Sequence, residues 1–367
     1  MRKGNVVNLI GPAQAIDDAL GEAERMSGYQ VDAATVSING SHILSTHADG
    51  MIAVGSATHE IAEEDVIRIE EVATLGKVPA NREILDVVPH AYKLDGQDNI
   101  KNPVGMTGTR LEIDAHVVSV LTPNLMSLQK AVESAKVNPH SIVVAGVAAA
   151  RAVLTEHQVE SGVALIDIGG STTNVAVYEE GDLRFTGVIP IGGINITNDL
   201  AIGLKIDQEI AEKLKIEHAS AITRKESAGI SVEHDGEIHS FNTMEIDEIV
   251  EARLDEIFEA INKELIRAGR ARKLPSGVIL TGGTAMLDGM AEYAKESLGL
   301  AAKIGVVSGY GGVADGIDKP EFATAVGLML IDAESGNVMK QSKKFNGKNA
   351  IVSGAGMLSR LLGRFRA

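Results

Sequence analysis

A chain of 367 residues is too long for one core and divides into two to four units at roughly 100–200 residues each. It contains no cysteine, which excludes disulfide staples and thiolate metal sites, and its net charge of -16 argues against nucleic acid as a partner. No stretch reaches the ~18 consecutive apolar residues of a membrane-spanning helix, and the opening Met1-Arg2-Lys3, followed by mixed polar sequence, does not read as a signal peptide.

Taken in chain order, residues 9–27 predict an amphipathic helix through Ile10, Ile16, Leu20 and Met26, and Ala33 to Ile38 a strand. Next, Ile43-Leu44 and Met51 to Val54 flank His47-Ala48-Asp49-Gly50, which predicts a hairpin because Asp-Gly tolerates positive φ. A helix at about 61–75, strand-like runs at 83–88, 90–94 and 110–121, and a helix at 124–136 complete an α+β unit of roughly 90 residues, large enough to be an inserted domain. Ser141 to Ala145 reads as a strand and Gly146 to Thr155 as a helix. Val163 to Ile168 is a continuous apolar run, suited to a strand buried on both faces. A glycine-rich turn links it to a second strand, Val175 to Tyr178.

Further along, residues 207–217 predict a helix, and 230–232 and 237–241 a hairpin about His234-Asp235-Gly236. A long amphipathic helix at 244–268 carries Ile246, Ile249, Val250, Leu254, Ile257, Ile261 and Leu265 on one face. Gly277 to Leu280 is a strand running into Gly282-Gly283 and a helix at 285–298. Phe322 to Leu330 closes the body. From Ser335 onward there are seven basic residues and no acidic ones, an asymmetry expected of a tail with a partner of its own.

Two glycine turns carry the chemistry. Asp167-Ile168-Gly169-Gly170-Ser171-Thr172-Thr173 lies between two strands. Its glycines let the backbone approach a phosphate, its N–H groups and hydroxyls can cradle an anion, and Asp167 is placed to hold a Mg²⁺-bound water. It is neither a Walker loop nor a Rossmann fingerprint, and a plain tight hairpin reads the same way. Thr281-Gly282-Gly283-Thr284 follows a strand and is expected to open a helix, where a flat base or sugar can lie on bare backbone. Close packing of strand on helix is the alternative. Two such turns, each after an apolar strand, are more specific together than apart.

With these turns the sequence resembles the actin, sugar-kinase and Hsp70 superfamily, the first turn matching its second phosphate loop and the second its adenosine loop. Within it the chain is similar to the FtsA family over nearly its whole length. The resemblance is carried by Met1-Arg2-Lys3-Gly4, by Pro103-Val104-Gly105-Met106-Thr107-Gly108, and by Val188-Ile189-Pro190-Ile191-Gly192-Gly193 with Thr197-Asn198-Asp199. Ala323-Thr324-Ala325-Val326-Gly327-Leu328 adds to it.

The resemblance implies an α/β, actin-like, two-lobed fold with an inserted 1C subdomain. Subdomain 1A would comprise 1–43, 137–159 and 319–334, 1C 44–136, 2A 160–205 with 276–318, and 2B 206–275. A flexible linker, 335–355, and an amphipathic membrane-targeting helix, 356–367, would follow. The family's opening strand, its Asp-x-Gly-Thr/Ser turn and two further strands have no counterpart, so a late start, a fragment or a natural loss is expected, with ATP bound weakly or not at all. Carried over by residue, Gly169, Gly170, Ser171, Thr172 and Thr173 would meet the β- and γ-phosphates of ATP with Mg²⁺, and Gly282, Gly283 and Thr284 the adenosine. Glu212 and Lys215 would flank ribose and base, or form only a solvated ion pair. Asn174 and Ser171 depart from the family's usual Asp and Gly, and Ala145-Gly146 offers no group to orient water, so no catalytic residue is assigned and a weak ATPase at most is expected.

The implied role is a cell-division scaffold at the cytoplasmic face of the membrane, at the division site. It would tether FtsZ filaments through their C-terminal peptide, recruit other divisome proteins and self-associate into actin-like protofilaments. A PilM-like pilus-assembly ATPase and, more remotely, a sugar or metabolite kinase are the alternatives. In the tail, Met357, Leu358, Leu361, Leu362 and Phe365 share an arc of roughly 140°, flanked by Arg360, Arg364 and Arg366, which suits anionic lipid; docking onto the body is the alternative. Arg253, Arg267 and Arg270, with Arg272 and Lys273 in the loop beyond, are expected to form a basic cluster that steers the FtsZ peptide, or only to complement the end of the long helix.

Overall fold

A computed structural model describes residues 1–55, 58–234, 236–311 and 316–342. Helix α1 (Ile10–Ser27) precedes strand β1 (Ala33–Ile38), which pairs in parallel with β6 (Asn138–Val144). Between them comes the insert: β2 (Leu44–Ala53), α2 (Glu63–Thr74), β3 (Arg82–Leu94), β4 (Gln97–Ile100), β5 (Arg110–Leu121) and α3 (Thr122–Ser134). Its sheet has the order β2-β5-β3-β4 and is separate from the others.

Two expectations fail inside the insert. Residues 47–50 form no hairpin, because Leu44 to Ala53 is one uninterrupted strand paired throughout with β5. A Cβ on Gly50 would lie 2.9 Å from the Ala73 amide nitrogen of α2. That glycine lets a helix lie against the strand and does not turn the chain. The two runs at 83–88 and 90–94 are also one strand, kinked by register shifts at Ile84/Asp86 and Pro89/Ala91. Proline cannot donate to the ladder, and a bulge accommodates it.

The second lobe is built on a five-stranded sheet of order β13-β12-β7-β8-β9. Helix α4 (Ala145–Val153) and short α5 (Glu156–Ser161) lead into β7 (Val163–Ile168), β8 (Thr173–Glu179) and β9 (Asp182–Ile189). Strand β7 alternates between two cores. Val163 and Leu165 join the cluster holding α4, β1 and β6, whereas Ala164, Ile166 and Ile168 join the one on the opposite face. Burial on both faces is why the run has no polar alternation. The opposite face is covered by α6 (Gly193–Leu204), α7 (Gln208–His218), α8 (Thr243–Arg267) and α9 (Met290–Leu298), with the hairpin β10 (Gly229–His234) and β11 (Glu237–Asn242) beyond. The apolar stripe of α8 is buried as its spacing predicts, with Ile246, Val250, Leu254, Ile257, Ile261 and Leu265 all inside.

Strands β12 (Val278–Thr281) and β13 (Ala302–Ile304) complete the sheet in parallel with β7. Helix α10 (Ala323–Ser342) returns across α4. Their contact is backbone on backbone, since a Cβ on Gly327 would stand 1.8 Å from the Ala148 carbonyl oxygen. Residues 335–342, expected as the start of the linker, are helical. The remaining linker and the tail helix, with Met357, Leu358, Arg360, Leu361, Leu362, Arg364, Phe365 and Arg366, lie outside the described residues. Among the described residues no helix is long and apolar enough to cross a membrane.

Candidate functional site

The parallel pairing of β7 with β12 sets Thr281 beside Asp167, so the two glycine turns leave the same edge of the sheet side by side. Gly282, at φ 87°, crowds Asp167 and Ile168: a Cβ there would meet the Asp167 Oδ1 and the Ile168 carbonyl oxygen, both at 2.5 Å. The Thr284 hydroxyl donates to the Gly169 carbonyl at 3.1 Å, tying one turn to the other. The second turn does not open an α-helix as expected. It passes through a single 3-10 turn, Gly283–Met286, and α9 begins only at Met290. The anion-attracting end of α9 is therefore not at the turn.

Packing accounts for some of the glycines. Gly169 approaches the Thr172 carbonyl, and Gly282 is fixed by Asp167. Gly170 and Gly283 differ, since a Cβ on either would meet nothing within 4 Å, and neither has a φ that only glycine adopts. Among the described residues nothing requires those two positions to be bare.

Asp167 is buried at the end of β7 and accepts a hydrogen bond from the Asn174 amide at 3.0 Å. Burial pushes its carboxyl up to about 6, against the lowering effect of the Asn174 bond. Removal from water disfavours the charged form. The Asn174 Oδ1 is buried without a partner. Gly146, at the start of α4, packs on Asn174, with a Cβ there 3.0 Å from the Asn174 Cβ. A side chain at position 146 would have to displace Asn174 by a few tenths of an ångström. Thr173 is buried and donates to the Ile191 carbonyl at 2.9 Å.

Glu212 and Lys215, one turn apart on α7, form a network with α6 and do not simply pair in solvent. The Lys215 ammonium donates to Glu212 at 2.7 Å, to the Thr197 hydroxyl at 2.9 Å and to the Gly193 carbonyl at 3.3 Å, and Thr197 also contacts Glu212. Burial alone would raise the Glu212 carboxyl, but hydrogen bonds from Lys215 and Thr197 and the Lys215 charge hold it below the usual range. Gly170, Ile194, Thr197, Gln208, Glu209, Glu212 and Lys215 line one cleft of about 240 Å³. It runs from the first turn to α7.

Sequence reasoning passed over four contributors. Gly192 closes under the first turn, where a Cβ would lie 2.5 Å from the Gly169 carbonyl oxygen, and the Gly193 amide donates to that carbonyl at 2.9 Å. Thr197 holds Lys215. Asn39, beyond the end of β1, donates to the Thr172 hydroxyl at 3.0 Å and joins the first lobe to the phosphate turn. The Pro-Ile-Gly-Gly run was visible in sequence, but its place beneath the turn is a tertiary fact, and a single Asn 133 residues away gives no signal at all.

In the expected basic cluster the guanidinium groups of Arg253, Arg267 and Arg270 each have a carboxylate. Arg253 pairs with Asp199 at 2.9 Å and with Glu256. Arg267 pairs with Glu264 at 2.7 Å and stacks over the Phe185 ring. Arg270 pairs with Glu179 at 3.0 Å. Partnered charges of this kind hold the body together and present little net field. Nearby, Ala201, Ile202, Lys205, Ile206, Asp207, Ile210 and His239 line an open cleft of about 420 Å³. Among the described residues no group of side chains is arranged to hold a metal by itself.

Comparison with known proteins agrees with this geometry. A family profile described as "Cell division protein FtsA" matches residues 164–327, and one described as "SHS2 domain inserted in FTSA" matches residues 40–119. The chain is 34% identical over 359 residues to the FtsA of Pseudomonas aeruginosa PAO1, covering 97% of this chain and 84% of that protein. It is 35% identical over 333 residues to the FtsA of Bacillus subtilis 168, covering 90% and 74%, and 31% identical over 346 residues to that of Escherichia coli K12, covering 91% and 82%. Among solved structures, a PilM-PilN type IV pilus biogenesis complex superposes with a TM-score of 0.62 at 17% identity over 90% of this chain and 87% of the other. The ethanolamine utilization protein EutJ of Carboxydothermus hydrogenoformans gives 0.50 at 19% over 90% and 77%. The fold is that of the actin-like ATPases, with an SHS2-type insert.

Proposed function

Because the chain belongs to the FtsA family of cell division proteins, we propose that it is an actin-like scaffold with a weak Mg²⁺-ATP site between its two glycine turns. It would hold FtsZ filaments at the cytoplasmic face of the membrane and recruit other divisome proteins. The observation that carries the nucleotide reading is the pair Gly170 and Gly283, whose missing side chains leave open space that nothing in the chain fills. A tight hairpin or a strand packed on a helix would need its glycines for backbone or contact reasons, and these two have neither. Gly169, Gly170, Ser171, Thr172 and Thr173 would receive phosphate, Gly282, Gly283 and Thr284 the adenosine, and Glu212 and Lys215 the ribose and base. The bound cation would supply charge neutralisation at the phosphates, with Asp167 reaching it through water.

The test is a titration of a fluorescent ATP analogue with Mg²⁺ against the wild-type chain and Gly170→Val. Nothing lies within 4 Å of a Cβ at that position, so the variant should unfold at the same temperature and bind at least tenfold more weakly. Equal affinity would remove the phosphate assignment.

For the FtsZ peptide the paired arginines recommend a different surface from the one the sequence suggested. The cleft beside subdomain 2B offers exposed Ile202 with Ile206 and Ile210 as apolar walls and exposed Lys205 at the rim. This suits a short segment with apolar anchors and acidic neighbours. Ile202→Glu should weaken binding of an FtsZ tail peptide in fluorescence anisotropy, while Arg267→Glu should not. The reverse ranking would return the site to the helix end. Self-association into protofilaments and attachment through the 356–367 segment complete the proposed role.

A further inference from the structure

Strand β9 is the outer strand of the five-stranded sheet, and among the described residues no further strand pairs with its free edge. An open edge of this kind is a pairing hazard that folds normally cover. Here side chains of the insert cover it. The Ser45 hydroxyl accepts a hydrogen bond from the Thr186 amide at 3.0 Å, and the His90 Nε2 meets the Leu183 carbonyl at 3.0 Å. Lys101 clasps the junction from the side, donating to the His90 carbonyl and to Asp182, each at 2.9 Å.

The seam is poorly satisfied for something so buried. The Thr186 hydroxyl and the Asp86 Oδ1 are buried without partners. Orphaned polar groups favour states in which water reaches them. At the centre of the seam Thr186 N–H donates to Ser45 Oγ, which also contacts the His116 Nε2. His116 is 4% exposed and stacks on His90 with ring centroids 6.1 Å apart. A proton on this ring would place a charge inside the seam, away from water.

We propose that the insert is a detachable cover for the β9 edge, and that a proton on His116 releases it. The charged groups facing His116 are His47 from β2, His90 from β3 and Arg184 from β9. Asp114, two residues along β5, pairs with His47 at 3.3 Å and His90 at 3.6 Å, so among the described residues an imidazolium at His116 has no carboxylate of its own. His90 is better placed, with Asp114 and Asp182 nearby to offset Arg184.

Burial first, and then these neighbours, lower His116 to about 3, and His90 is lowered by burial and Arg184. Released, each imidazole returns to its ordinary value near 6.5. Docking is therefore fully present above about pH 6.5 and weakens as pH falls below it. Asp86, raised to about 7 by burial with Glu70 nearby, works the other way, since its neutral docked form gains as pH falls from 7. Two imidazoles outweigh one carboxyl, and acid opens the seam.

Hydrogen exchange on the full chain tests this, with rates corrected for intrinsic pH dependence and residues 183–188 of β9 compared with 175–177 of buried β8. In the wild type, protection of β9 should fall by up to about tenfold per pH unit from 6.5 to 4.5 while β8 stays constant. His116→Gln, which stays neutral, should flatten that slope by up to about tenfold per pH unit. Ser45→Ala should lower β9 protection at every pH without changing the slope. Equal slopes in wild type and His116→Gln would overturn the proposal. Should the Gln variant not fold, the wild type decides alone: β9 and β8 losing protection together means acid unfolding and no release.

Discussion

Asp167 shows what one buried carboxyl does to the whole chain. Its folded value of about 6 stands above its unfolded value, so the folded state binds the extra proton. The stability this contributes is present below the unfolded carboxyl value near 3.9 and is lost as pH rises through 6. Asp167→Asn should therefore unfold at a higher denaturant midpoint than wild type at pH 8, by on the order of 3 kcal/mol. The two midpoints should converge at pH 4, and parallel profiles would refute the assignment. The same residue predicts that Mg²⁺-nucleotide affinity rises between pH 5 and 7, because a cation is better served by the carboxylate. Asp167 and the glycines around it were legible in the sequence, because a loop between buried strands has few reasons to be built that way. Thr197 and Asn39 were not. Each contributes one hydroxyl or amide from an element whose approach only the folded chain fixes.

Among the elements, the long and periodic ones were readable and the short or doubly constrained ones were not. Helix α8 shows its stripe at helical spacing, and β7 shows its burial on both faces as an apolar run interrupted only by Asp167. Asp49-Gly50 misleads because a turn glycine and a contact glycine are the same letter, and the Ala73 backbone that distinguishes them is supplied by α2. Helix α6, with two glycines and four β-branched residues among twelve, has poor intrinsic propensity and is held by its packing on α7 and α8. The contact at Gly327 gives a sharp test. Gly327→Ala places a carbon against the Ala148 carbonyl and should lower stability by roughly 3 kcal/mol in denaturant unfolding. Gly21→Ala in α1, with nothing within 4 Å of its Cβ, should raise it by about 0.5–1 kcal/mol. The 356–367 segment is too short to hold a helix alone in water and is expected to fold on lipid. Leu361→Glu should release the protein from vesicles rich in anionic lipid, and salt should weaken the wild type. Equal sedimentation of both would point to docking on the body.

At the scale of the molecule, the two cores meet through a single sheet, and the insert adds a third core of its own from β2, β3, β5 and α2. Composition foretold several units and a body without disulfides. It did not foretell that the insert would lean on β9 of the second lobe as well as on the first, since that seam is made by Ser45, His90 and Lys101, singly unremarkable residues far apart in the chain. Helix α10 runs the other way, out of the body toward the tail, and it crosses α4 with no side chain between the two backbones at Gly327. If the tail is held at a surface while filaments pull on the far lobe, tension enters the protein along the axis of α10. A seam loaded parallel to its plane must slide as a unit, whereas one loaded end-on peels contact by contact. The bare crossing is thus a tow hitch, and under a pulling experiment Gly327→Ala should lower the rupture force of the body more than its loss of equilibrium stability alone would suggest.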